Sequence, residues 1–135
     1  MSRVRVLMID DSEDDAELFA TVFAQAKTGF EFEYALDSAE GIARLTAQGS
    51  DIRLVLLDIK MTGRDGMEVL AQIRRTNSIR HLPVVVLSSS DAPSDVLHSY
   101  RLGANAYVQK PDDLAGCRKF IANLAGFWLE TASLP

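Results

Sequence analysis

Apolar positions in this chain follow two rhythms, short continuous runs and helically spaced stripes, and the two alternate five times. The run Val6-Leu7-Met8-Ile9 lies in a predicted strand over residues 4–9. Phe19, Val22, Phe23 and Ala26 recur at three- and four-residue spacing, which predicts a helix over 13–27. Phe30, Phe32 and Tyr34 alternate with acids, so residues 30–36 predict a strand half exposed at a sheet edge. Ala39, Ile42, Ala43 and Leu45 predict a helix over 39–48, with Ser38 as its N-cap. The run Leu54-Val55-Leu56-Leu57 predicts a third strand over 53–58. A loop with two glycines, Gly63 and Gly66, then leads into a helix over about 67–76. Pro83 opens the run Val84-Val85-Val86-Leu87, a fourth strand. A less apolar helix over 91–102 ends at Gly103, a residue suited to the left-handed position after a helix. Residues 106–109 predict a fifth strand and 112–130 a fifth helix.

Strands alternating with helices imply a parallel sheet covered on both faces. The first, third and fourth runs are nearly uninterrupted Val, Leu and Ile, as expected of strands buried on both sides. The fold class is therefore α/β, a doubly wound five-stranded parallel sheet with five helices. A length of 135 residues suits one domain, and no linker, low-complexity segment or repeat divides it.

Composition narrows the function classes. Apolar residues at 47% and charged residues at 24% predict a packed core rather than disorder. A net charge of −5, with no Lys/Arg cluster, argues against a nucleic-acid-binding surface. The sequence has neither a membrane-length apolar run nor an apolar leader segment, so a cytoplasmic protein without membrane contact is expected. Cys117 stands alone, which excludes an internal disulfide and fits a small buried thiol.

Five chemistry-bearing residues share one kind of address. Asp10 and Asp11, Asp58, Ser88 and Lys110 each fall at the C-terminal end of a predicted strand. Ligands of open α/β sheets bind there, at the switch point of the strand order. With order 2-1-3-4-5 the first and third strands are neighbours and the three carboxylates converge. One Asp after a strand is usually a turn or cap residue; three acids and a lysine together favour a site. Converging carboxylates raise one another's pKa, and a hard divalent cation such as Mg²⁺ relieves the conflict. That cation also neutralises a phosphoryl group, and Asp58 can serve as nucleophile to give an aspartyl phosphate. Ser88 offers a hydroxyl and Lys110 a compact positive charge to the same oxygens. The remaining polar residues invite simpler readings. His81 and His98 are expected in solvent, and one residue of Ser88 to Asp91 is expected to cap the following helix. Asp14, Asp15 and Glu17 suit the positive end of the first helix.

In this arrangement the chain resembles the receiver domain of two-component response regulators. The resemblance rests on Asp10-Asp11, Asp58, Ser88 and Lys110-Pro111 in order, with Gly63 and Gly66 in the intervening loop, and covers residues 4 to about 127. It implies a flavodoxin-like receiver fold of order 2-1-3-4-5, with residues 1–127 as the receiver and 128–135 as a tail extending helix five. It further implies Asp58 as phosphoacceptor, Asp11 as a direct Mg²⁺ ligand, Asp10 acting mainly through water, and the Lys60 backbone carbonyl as a third protein ligand. Ser88 and Lys110 would follow the phosphoryl group, and Tyr107 matches the family's switching aromatic. Residues 99–108 and 126–135 resemble the single-domain regulators partnered with phytochromes. A sensor histidine kinase of that type is the implied donor, with phosphotransfer to Asp58 and hydrolysis from it as the only self-catalysed chemistry. Two departures stand out: Lys60 puts a basic side chain beside the phosphoryl site, and Thr62 stands where many receivers have proline.

Helix five carries more apolar residues than one face can bury. Leu114, Cys117, Ile121, Leu124 and Trp128 form one stripe, whereas Phe120, Phe127 and Leu129 lie off it. A wide apolar surface on a small domain marks an interface, so a homodimer through Phe120, Leu124, Phe127, Trp128 and the tail is expected. No residues are left for a DNA-binding or enzymatic output domain, so output is expected through partner or dimer contacts, or through a phosphorelay. Two other classes fit less well. An aspartyl-phosphate phosphatase or phosphotransferase of the haloacid dehalogenase kind would want an acid two residues after the nucleophile, where Lys60 stands. A flavodoxin-like cofactor binder would want a phosphate loop after strand one, where the acids stand.

Overall fold

A computed structural model describes residues 3–61 and 65–135. The predicted Gly63 turn residue, together with Thr62, lies outside the described residues. Five strands, β1 (Val4–Ile9), β2 (Phe30–Ala35), β3 (Ile52–Asp58), β4 (Val84–Ser88) and β5 (Ala106–Gln109), form one parallel sheet in the order β2-β1-β3-β4-β5. The connecting helices are α1 (Glu13–Ala26), α2 (Ser38–Thr46), α3 (Gly66–Arg75), α4 (Pro93–Arg101) and α5 (Leu114–Ala125). The fold class and strand order agree with the sequence reading. β2 is an edge strand and mostly half-buried, as its alternation of aromatics and acids predicts.

Strand alternation sends successive side chains to opposite faces, which gives the sheet two cores. Leu7, Ile9, Val55, Leu57, Val84 and Val86 pack with α2 and α3. Val6, Met8, Leu54, Leu56, Val85 and Leu87 pack with Phe19, Val22 and Phe23 of α1 and with Cys117, Ile121 and Leu124 of α5. α4 is the exception. Ser99 is its one buried residue, and Leu97 and Tyr100 are exposed.

Local chemistry moved several boundaries. The N-cap of α2 is Asp37, not Ser38: its Oδ1 accepts from the Glu40 N–H at 2.7 Å. A carboxylate suits that position because it also meets the helix dipole. α4 starts at Pro93 rather than at residue 91, since the ring fixes φ for a first helical turn. None of Ser88 to Asp91 is its N-cap; that position is Ala92, without a side-chain cap. Gly103 does take a positive φ of 104°, and its N–H reaches Tyr100 O at 3.0 Å.

The fifth helix departs most from expectation. Asp113 caps it, accepting from Gly116 N at 2.6 Å, so residues 112 and 113 stay outside. After Ala125 the chain widens into a π-helical turn over Gly126–Thr131. Widening rotates the later residues relative to the α-helical stripe. Leu129 therefore packs back on the domain. Phe120, within α5 itself, meets Phe19 of α1 edge to face at 6.0 Å. Leu114, expected to face the sheet, is exposed. Of the four expected dimer residues, Leu124 is buried in its own core, Phe120 and Trp128 are partly buried against it, and Phe127 alone is largely exposed. The tail also folds home: Arg53 Nη2 donates to Leu134 O at 3.0 Å.

Candidate functional site

The strand ends assemble the site. Asp10 follows β1 directly, held by its N–H to Ala35 O at 3.1 Å. Asp58 ends β3 and Ser88 ends β4. Lys110 follows β5, and its N–H donates to Ser88 O at 2.7 Å. Gly66 allows the next helix to start hard against this point. A Cβ there would collide with the Asp58 carbonyl oxygen and the Ile59 Cα. At Gly66 the chain thus makes a close backbone approach beneath Asp58.

Carboxylate oxygens of Asp10, Asp11 and Asp58 all lie within 4.8 Å of one another. Asp10 and Asp58 are buried and Asp11 is half-buried. Lys110 Nζ joins them, 2.7 Å from Asp10 Oδ2 and 3.2 Å from Asp58 Oδ2. It also reaches Asp15 Oδ2 at 2.9 Å. The remaining oxygens are held by backbone. Asp10 Oδ1 accepts from Ser12 N, and Asp58 Oδ1 from Lys60 N, each at 2.9 Å. Burial pushes the Asp10 carboxyl up to about 6, with Lys110 and the Ser12 N–H opposing the rise. Burial alone would lower the Lys110 ammonium. Its hydrogen bonds to Asp10 and Asp15, with the charges of Asp10 and Asp58, override that and hold it above the ordinary lysine value.

Among the described residues, three carboxylates of one site converge to within 4.8 Å of one another. Their oxygens are hard donors with lone pairs to spare, so the residues fit a divalent cation of the Mg²⁺ or Mn²⁺ type. The Lys60 carbonyl opens the loop after Asp58, where it could complete such a set.

Beyond the acids, Ser88 is fully buried and its Oγ accepts from Ser90 N at 3.1 Å. The Tyr107 hydroxyl donates to Ser90 O at 2.7 Å, and its half-buried ring packs on the α2–α3 core. Tyr107 thus packs at the sheet edge with its hydroxyl on the segment that follows Ser88. Two features escaped the sequence reading. Asp15, taken as a helix-dipole residue, is a partner of Lys110; a helical turn after Asp11 was the available signal. Asp95, on the first turn of α4, takes the Lys60 ammonium at 3.2 Å and the Ser90 hydroxyl at 2.6 Å. His81 and His98 are exposed, as expected, and Cys117 is buried.

The fold and this constellation are those of a signalling receiver. The family model for the response regulator receiver domain matches residues 6–122, and the chain belongs to that family. It is 34% identical to response regulator Rcp1 of Synechocystis sp. over 135 residues, spanning 96% of this chain and 92% of that one. Among solved structures, the phosphorylated cyanobacterial phytochrome response regulator RcpA superposes with a TM-score of 0.88 at 33% identity, covering 98% of this chain and 99% of that one. The response regulator RPA3017 of R. palustris, from red light signalling, gives a TM-score of 0.87 at 31% identity, with 98% of each chain covered. The Mn²⁺-bound form of Rcp1 gives 0.84 at 34% identity, with 98% and 99% covered. This chain is therefore a response regulator receiver related to phytochrome response regulators. Among the described residues no helix is long and apolar enough to cross a membrane.

Proposed function

We propose that this chain is switched by phosphorylation of Asp58, with a sensor histidine kinase of the phytochrome type as donor. The observation that carries the proposal is the convergence of Asp10, Asp11 and Asp58 with Lys110 at the strand ends. An Asp58 carboxylate oxygen attacks phosphorus in the kinase's phosphohistidine. The O–P bond forms as the N–P bond breaks, and the leaving imidazole nitrogen takes up a proton. Hydrolysis returns the carboxylate when water attacks phosphorus and inorganic phosphate leaves. Asp11 and Asp58 would hold Mg²⁺ directly, with Asp10 through water and the Lys60 carbonyl as a further ligand, and the cation would supply neutralisation of the phosphoryl charge. Lys110 orients the acids and pairs with the phosphoryl oxygens. Ser88 follows the phosphoryl group and, through Ser90, brings Tyr107 with it.

Homodimerisation belongs to the same proposal, with the α5 end and residues 128–135 beside the receiver unit of 1–127. Its support is the exposed Phe127 next to an apolar groove of about 320 Å³ lined by Ala106, Val108, Phe120 and Trp128. The likeness to a phytochrome response regulator and to a regulator of red light signalling supports the choice of kinase. The test is intact-mass measurement after incubation with Mg²⁺ and acetyl phosphate. A one-phosphoryl gain that is lost in Asp58→Asn is expected, and no gain from any donor, a cognate kinase included, overturns the proposal. Sedimentation of both forms at micromolar concentration tests the dimer, and a monomer in both contradicts it.

A further inference from the structure

We propose that Lys60 is an exchange cation: it pairs with Asp95 while Asp58 is unmodified and moves to the phosphoryl oxygens once Asp58 is phosphorylated, releasing the first turn of α4. The inference rests on Asp58 as the phosphoacceptor. Lys60 is anchored beside that residue, since its backbone N–H holds Asp58 Oδ1 at 2.9 Å. Its side chain is half exposed and turns away, placing Nζ 3.2 Å from Asp95 Oδ2. A flexible four-carbon stem lets the same ammonium swing back over Asp58 without moving the backbone.

Asp95 is not an isolated surface acid. Its Oδ2 also accepts the Ser90 hydroxyl at 2.6 Å, and Ser90 connects to Ser88 Oγ through its N–H and to the Tyr107 hydroxyl through its carbonyl. Two donors, the Ser90 hydroxyl and the Lys60 ammonium, converge on one carboxylate oxygen. One ion pair thus ties the loop after β3 to the start of α4 and to the residues after β4. α4 has one buried residue, Ser99, and its N-cap carries no side-chain bond, so its first turn depends on contacts such as that of Asp95. An exposed ion pair is weak, whereas a phosphoryl group brings a charge of about −2 to within reach of the same ammonium. The dianion wins the competition, and Asp95 loses its cation when Asp58 is phosphorylated.

Binding of the phosphoryl mimic BeF₃⁻ with Mg²⁺ tests the exchange in four full-length proteins: unsubstituted, Asp95→Asn, Lys60→Met and the double variant. Asp95→Asn frees Lys60 and should tighten BeF₃⁻ binding on the order of two- to fivefold, the equivalent of one exposed ion pair. In the Lys60→Met background the same substitution should change nothing. Amide resonances of Ser90 and Asp95 should shift on BeF₃⁻ addition, and Lys60→Met should move them the same way without it. Asp95→Ser, which also suits a first helical turn, replaces Asp95→Asn if the latter fails to fold. An equal effect of the Asp95 variant with and without Lys60, or no effect at all, overturns the exchange. Failure of BeF₃⁻ to bind the unsubstituted chain instead overturns the phosphoacceptor assignment beneath it.

Discussion

The Lys110 ammonium lies 2.7 Å from Asp10 Oδ2, across a sequence separation of 100 residues. Both groups are removed from water, with the Lys110 side chain 12% exposed and that of Asp10 0%. Breaking such a pair strands a buried charge and costs about 3–5 kcal/mol. Lys110→Met should therefore destabilise the metal-free protein by that order in urea unfolding at neutral pH. Added Mg²⁺ should recover part of the loss, because it supplies positive charge to the same carboxylates. An unchanged midpoint would show that the lysine is not what balances the acids.

Metal binding should itself be visible as stability. A cation that binds the folded chain alone raises its stability by RT ln(1 + [L]/Kd). Millimolar Mg²⁺ or Mn²⁺ should raise the melting temperature of the unsubstituted chain. Asp11→Asn should abolish most of that rise, since it removes one of the three converging ligands.

Gly66→Ala tests the close approach beneath Asp58. The added methyl meets backbone rather than a flexible side chain, so helix and strand must separate. Overpacking of this kind costs about 1–3 kcal/mol. The same variant should lose phosphorylation out of proportion to its lost stability, because the displaced strand end carries the nucleophile.

Arg74 gives a prediction away from the site. Its guanidinium donates to Gly103 O at 2.7 Å and to Leu82 O at 2.7 Å, and reaches Arg80 O and Asn105 Oδ1 as well. It therefore ties the loop before β4 to the loop before β5. Arg74→Ala should destabilise the fold by about 2–3 kcal/mol. Arg74→Lys should not rescue it, since an ammonium cannot span a fork of four acceptors.

Cys117 titrates in a direction with a definite sign. Burial pushes its thiol from the ordinary value up to about 11. A group whose folded pKa is raised contributes full stability below its unfolded pKa and loses it as pH rises through the folded one. Stability should therefore decline from about pH 9 to about pH 11, and Cys117→Ala should remove that part of the decline. At pH 8 the thiol should react with a thiol reagent only as fast as the protein unfolds.

The sequence made the fold and the five strand-end residues legible for one reason: both follow from local pattern. Continuous apolar runs identify buried strands, and a charged residue directly after such a run is conspicuous. What escaped depends on distance in space rather than in sequence. Asp15 is marked only by standing one helical turn after Asp11, and nothing in the α4 sequence shows that Asp95 meets Lys60. The apolar surplus of helix five is taken up in part by the domain itself. Phe120, within α5, reaches Phe19 of α1, and a π-helical turn changes the residue phase after Ala125, so Leu129 returns to the domain. A constant helical period cannot anticipate that change.

The assignment of Asp58 as phosphoacceptor is tested most directly by trapping the adduct. Treat the chain with acetyl phosphate and Mg²⁺, reduce the acyl phosphate with borohydride, and map the peptides by mass. Homoserine at position 58, dependent on Mg²⁺, is the predicted result. Reduction at Asp10 or Asp11, or no homoserine while phosphate is turned over, would contradict it.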